Sequence, residues 1–201
     1  MKKIIILSLL VLITSNLGAA ERMNILVQPF RNDGPKDFSW ISSGMTETVI
    51  ADLGRIQGIK VISDAERKKA MEEIALAGTG LMEASSATEV GSFLGAHVIF
   101  SGTYTVIGDN IRVIAKLTKV KTGETEKSIK VDGQLKDIFS VQDRIVMDLL
   151  RETEKIDIAG VQKLKVSDTE IKKIENKPAM DYTAYQYYSM GLEVMNSDPR
   201  K

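Results

Sequence analysis

The longest regular pattern in the chain lies at 96–133, where a continuous apolar run, Val98, Ile99 and Phe100, gives way to alternation. Gly102, Tyr104 and Val106 fall on one side and Ser101, Thr103 and Thr105 on the other, a period of two that predicts a strand. After the turn formers Gly108, Asp109 and Asn110, Ile111, Val113, Ala115 and Leu117 alternate with Arg112, Lys116 and Thr118. After Thr122, Gly123 and Glu124 the alternation resumes with Ile129 and Val131. Three strands joined by two tight turns predict an antiparallel meander with Phe100 and Val113 facing inward.

Upstream, a short apolar run holding Ile25, Leu26 and Val27 stops at Pro29, and the turn formers at 31–35 follow it. This predicts one buried strand and then a turn. From Ser39 onward Ile41, Met45, Val49 and Leu53 recur every four residues until Gly54 and Gly58, which predicts an amphipathic helix. Residues 59–62 are few and mostly β-branched, so strand, helix and strand form a right-handed βαβ unit. Ser63 with Glu66, and Ser86 with Glu89, match the capping box and predict two helix starts. The first helix ends before Gly78-Thr79-Gly80; the second buries Val90, Phe93 and Leu94 before Gly95 closes it. After Gly133 a helix beginning at Asp137 buries Ile138, Val141, Ile145 and Leu149. The resulting string, βαβααβββα, predicts an α/β fold: a mixed five-stranded sheet in the order 2-1-3-4-5, helices on both faces, and a C-terminal helical tail.

In that tail, 154–178 is rich in Lys, Glu, Asp and Ile with weak periodicity, which predicts a linker containing a short helix or strand. Pro178 restarts a helix over 179–201, in which Tyr182, Tyr185, Tyr188 and Leu192 recur at spacings of three and four. Nothing in the tail's own sequence covers this stripe. The four residues are therefore a candidate partner-binding face, because aromatic anchors at helical spacing commonly form the centre of an interface. Docking of the stripe on the body is the alternative.

Charge and composition then narrow the address. Lys+Arg and Asp+Glu both number 27, so no bulk field draws the chain to nucleic acid, and no nucleic-acid partner is expected. The mixed charges at 64–73 have the spacing of a solvated helix face. Lys2 and Lys3, the apolar run at 4–17 and Gly18-Ala19-Ala20 match a signal peptide over 1–20 cleaved after Ala20. The apolar run is shorter than the roughly 20 residues that span a bilayer, so no membrane span is expected after cleavage. With no cysteine the chain forms no disulfide and lacks the lipid-bearing residue of a lipoprotein. A protein free in the periplasm, with its α/β domain over 21–153, is the expectation.

Candidate chemistry is sparse. His97, the only histidine, stands at the start of a buried strand without a cysteine partner, a structural position rather than a metal or nucleophile site. Gly78-Thr79-Gly80 does not continue into a phosphate loop, Ser101 and Thr103 are outward strand positions, and Glu72 and Glu73 face different sides of a helix. No catalytic, cofactor-binding or metal-ligating residue is therefore assigned, no cofactor is expected, and the chain is read as not an enzyme.

Ile25-Leu26-Val27-Gln28-Pro29-Phe30, Gly44-Met45-Thr46-Glu47, Leu53-Gly54-Arg55-Ile56 and Gly58-Ile59-Lys60-Val61-Ile62-Ser63 resemble the opening of the TolB amino-terminal-like domains found in FlgO and CsgG relatives. Leu94-Gly95-Ala96, Gly102, Thr122-Gly123-Glu124 and 137–143 follow in the same order, so the resemblance covers 23–150. Tyr188-Ser189-Met190-Gly191-Leu192 resembles the first helix of a tetratricopeptide repeat. The resemblance implies a non-catalytic periplasmic interaction or assembly module acting with envelope or outer-membrane proteins, in which an oligomer is allowed. A small-ligand-binding or enzymatic domain on the same scaffold is the alternative, as is a subunit of a curli-type secretion apparatus. The chain departs from such a channel in its tight turns and in the poorly alternating stretch at 77–86, because a transmembrane strand needs ~9–11 alternating residues.

The leader predicts a mature protein that begins at Glu21 and is released by osmotic shock. Amino-terminal sequencing checks this, and an intact leader on a carbonate-resistant membrane species would contradict it.

Overall fold

In the computed structural model, which describes residues 21–77, 87–175 and 181–197, the alternating runs form one mixed sheet. The strands are β1 (Met23–Val27), β2 (Arg31–Asn32), β3 (Ile59–Ile62), β4 (Val98–Ile107), β5 (Asn110–Lys119) and β6 (Thr125–Gln134). The helices are α1 (Trp40–Leu53), α2 (Asp64–Ala77), α3 (Ala87–Phe93), α4 (Ile138–Thr153), α5 (Asp168–Glu175) and α6 (Tyr182–Ser197). The leader, Gly78-Thr79-Gly80, Ser86 of the second capping box, the stretch at 77–86 beyond its first residue, and Pro178 lie outside the described residues.

The five long strands lie in the order β3-β1-β4-β5-β6, as the pattern predicts, with β1 parallel to β3 and to β4 and the meander antiparallel. A sixth strand is the difference. Arg31 and Asn32, read as part of a turn, pair in parallel with Thr103 and Tyr104 on the same edge of β4 that β1 uses. Between the two, Phe30 leaves the sheet and lies over Gly102, where a Cβ would stand 2.5 Å from the ring's Cε1. Only glycine leaves room for that crossing.

One face of the sheet carries the main core. Ile25 and Val27, Phe100, Tyr104 and Val106, Ile111, Val113, Ala115 and Leu117, and Ile129 and Val131 point at the stripes of α1 and α4. Those stripes, Ile41, Met45, Val49 and Leu53 and then Ile138, Val141, Ile145 and Leu149, are buried as their spacing requires. The other face holds a smaller cluster, Leu26, Ile62, Ala70, Val90, Ala96, Ile99 and Val120, with Ala70 from α2 and Val90 from α3. Phe93 is a correction: it is 57% exposed, because α3 stops there and Gly95, at φ 65°, turns the chain so that Leu94 packs instead. The stretch at 154–175 is held against the body by buried Ile156, Leu164 and Ile174, so it is not a free tether.

Local chemistry sets the joints. The Ser63 box forms as expected, with Ser63 N donating to Glu66 Oε2 at 2.8 Å and Glu66 N to Ser63 Oγ at 3.2 Å. A third box, Ser167 with Glu170, starts α5 and carries the same signature. His97 ties the entry of β4 to β1: its Nδ1 accepts from Asn24 N at 3.0 Å and its own N donates to Asn24 O at 2.8 Å.

Truncating inward Phe100 to Ala should cost about 3–5 kcal/mol, whereas outward Lys116→Ala should cost less than about 0.5 kcal/mol. Denaturant unfolding of the two variants measures both, and similar losses would place Phe100 outside the core.

Candidate functional site

The tail stripe divides when α6 docks. In a helix, positions i and i+4 share a face, so Tyr185 and Ser189 turn together toward α1, and both are buried. They meet α1 at Gly44, where a Cβ would lie 2.0 Å from Ser189 Oγ and 2.6 Å from the Tyr185 hydroxyl. The missing side chain is what lets the two helices touch.

Aromatic edges complete the seat. Tyr185 stands T-shaped to Phe139 at 5.0 Å and to Trp40 at 6.0 Å, and Tyr182 to Trp40 at 6.1 Å. Gln142 on α4 donates its Nε2 hydrogen to the Tyr185 hydroxyl at 2.5 Å. Burial pushes that hydroxyl up to about 12, so it stays protonated at any physiological pH. Trp40 contributes its ring alone, because its indole nitrogen has no acceptor among the described residues.

Of the four residues expected to form a partner face, Tyr185 is therefore corrected to a core position, and Tyr182 and Leu192 are half-buried. Tyr188 is 54% exposed and remains available. A second stripe escaped the sequence reading: Tyr187, Met190, Gly191, Val194 and Met195 follow the helical spacing i, i+3, i+4, i+7 and i+8, and all five are exposed. The signal was present, since α6 carries apolar and aromatic residues on more than one side and Glu193 is its only charged residue.

A second concavity lies beyond the carboxyl ends of β1 and β3, where open α/β sheets commonly bind ligands. This cleft, of about 640 Å3, is lined by Phe30, Arg31, Ser42, Ser43, Arg67 and Glu193 among others. Three of its polar side chains are bonded within the fold. Ser42 Oγ donates to Phe30 O at 2.5 Å, Arg31 pairs with Asp33 at 2.7 Å, and the Arg67 guanidinium is held by Asp64. Among the described residues no helix is long and apolar enough to cross a membrane.

No family model matches the chain. In sequence it is 25% identical over 163 residues to a Rhizobium meliloti (strain 1021) protein named "Putative adenylate cyclase 3". The match takes in 81% of this chain, which spans about a quarter (24%) of that protein's length. This corrects the expectation that the chain is not an enzyme, because the sequence relative bears an enzyme's name. Similar solved structures include the LpoB C-terminal domain from Salmonella enterica, at 18% identity and a TM-score of 0.48 over 58% of this chain and 86% of that one. Lipoprotein GNA1162 from Neisseria meningitidis follows at 20% and 0.44, over 55% and 79%. TolB from Acinetobacter baumannii stands at 16% and 0.41, over 65% and 30%. At scores below 0.5 these likenesses decide neither family nor function.

Two glycines on the two sides of the seat give opposite outcomes. Gly44→Ala should lower stability by about 1–3 kcal/mol through the clash with Ser189. Gly191→Ala, with nothing within 4 Å of the new methyl, should raise it by up to about 1 kcal/mol as helix propensity improves. Thermal melts of both variants check the docked position of α6, and a stabilising Gly44→Ala would contradict it.

Proposed function

We propose that this chain is a periplasmic interaction module that recruits an envelope or outer-membrane protein through the outer face of α6, in an accessory role like that of FlgO and CsgG relatives. One observation carries the reading. The inner side of α6 is locked to the body by Tyr185 and Ser189, while Tyr187 (71% exposed), Val194 (68%) and Met195 (58%) stand in solvent on the other side. An uncharged apolar patch on a fixed helix costs solubility unless a partner covers it. The tetratricopeptide likeness supports the same reading, since a repeat helix packs one side inward and leaves the other for its neighbour.

The cyclase-named relative favours a second form of this reading, in which the module is the partner-binding part of a longer enzyme. Its match runs along most of this chain and a small share of that protein. In either setting the contacts come from α6.

Replacing Tyr187, Val194 and Met195 together with Ser should abolish capture of crosslinked partners from periplasmic extract while leaving the thermal midpoint within a degree or two of the parent. Tyr185→Ala should instead lower the midpoint by several degrees. Undiminished capture by the triple variant would overturn the proposal.

A further inference from the structure

At the amino ends of β1 and β3 three segments enclose a cleft of about 830 Å3: residues 21–22 ahead of β1, the loop at 55–58, and the stretch that runs into α5. Its walls bear five cations, Arg22, Arg55, Lys163, Lys165 and Lys173, against two carboxylates, Glu21 and Glu170. The chain as a whole has equal numbers of basic and acidic residues, so this surplus is local.

The two carboxylates offset two of the five cations, which leaves a surplus of three. Glu170 Oε1 accepts from Gln57 N at 2.8 Å, and Oε2 from Ser167 N at 2.9 Å and Ser167 Oγ at 2.6 Å. Those bonds, the Ser167 hydroxyl first, hold its pKa below the usual range, and they fasten the α5 wall to the loop at 57. Glu21 faces His97 at 4.0 Å. Arg55 donates to the Lys173 carbonyl at 3.2 Å and lies 3.7 Å from Asp52. Among the described residues Arg22, Lys163, Lys165 and Lys173 form no salt bridge.

The walls are also fixed before anything binds. Glu21 bridges Val161 in parallel, and buried Leu164 fills the space over Gly58, where a Cβ would stand 2.7 Å from its Cδ1. Side chains on such walls converge without the backbone having to be ordered first. Like charges grouped around a concavity repel one another while it is empty, and a multivalent anion relieves that repulsion. Guanidinium groups suit phosphate oxygens in pairs, and ammonium groups add point charges.

We propose that this cleft binds an anion bearing two or more phosphate charges, held by Arg22, Arg55, Lys163, Lys165 and Lys173. Two sources offer that chemistry, a free oligophosphate and an anionic phospholipid headgroup. The site is independent of α6 and of the recruiting face.

The test titrates the full chain with inorganic pyrophosphate by calorimetry at low and at physiological salt. In parallel it sediments the chain with vesicles of phosphatidylcholine alone and of phosphatidylcholine with cardiolipin, whose headgroup carries two phosphates. A triple variant, Arg22→Gln with Lys163→Gln and Lys165→Gln, should weaken binding at least ~10-fold. A control with the same charge change elsewhere, Lys116→Gln with Lys121→Gln and Lys130→Gln, should leave it unchanged. Saturable pyrophosphate binding with this pattern identifies a free phosphate, and binding to the cardiolipin vesicles alone identifies the headgroup. Protection of Lys163 and Lys165 from acetylation in the unaltered protein, on adding the probe that binds, gives a reading that does not depend on any variant's folding. No binding to either probe at low salt, equal loss in both triple variants, or unprotected lysines would overturn the proposal.

Discussion

The contact between Phe30 and Gly102 is the constraint around which the rest of the structure is arranged. Because Gly102 has no side chain, Phe30 can leave the edge of β4 and fill the space above it, where it meets Phe100 edge-on at 5.8 Å. Its backbone, now out of the sheet, must find other partners. Thr46 Oγ1 accepts from Phe30 N at 3.1 Å and Ser42 Oγ donates to Phe30 O, so α1 supplies both. Tyr104 closes the same joint from β4 by donating to Phe38 O at 2.8 Å and accepting from Ser42 N at 3.1 Å. Strand order, the placing of α1 and the return of the chain as β2 are one event.

With α1 fixed in this way, its outer side becomes a platform. Gly44 and Trp40 lie on it, and α6 settles there through close helix contact and aromatic edges more than through polar pairing. The consequence for function is geometric. A helix with apolar residues on more than one side cannot cover them all by one docking, so the side turned away from α1 keeps Tyr187, Val194 and Met195 in water. The basic cleft is built differently, from short segments whose backbones are pinned by Glu170 and Leu164, while Arg22, Lys163, Lys165 and Lys173 form no salt bridge among the described residues. The molecule thus offers one apolar and one cationic surface, each on a rigid support.

Much of the fold was legible because its periods are local. The alternation of Ile111, Val113, Ala115 and Leu117 and the four-residue recurrence of Ile41, Met45, Val49 and Leu53 require only neighbours in sequence, and both elements formed where those patterns lie. The Ser63 box was equally readable, and the Ser167 box would have been by the same rule. Phe93 was misplaced because an apolar residue at the end of a short helix has no periodic context to fix its side.

By itself the sequence determined the five long strands, the helices α1 and α4 with their buried stripes, and the inward side of the meander. These follow from backbone periodicity and capping, which act over a few residues. Only the tertiary structure decided that Arg31 and Asn32 form a strand, that Tyr185 belongs to the core while Tyr187 does not, and that Arg22, Arg55 and Lys163 share one cleft. Each of these depends on a partner far away in the chain: Gly102 for Phe30, Gly44 for Tyr185, and the packing of Leu164 on Gly58 for the cations. A glycine's lack of a side chain shows its effect only when another segment arrives to use the space.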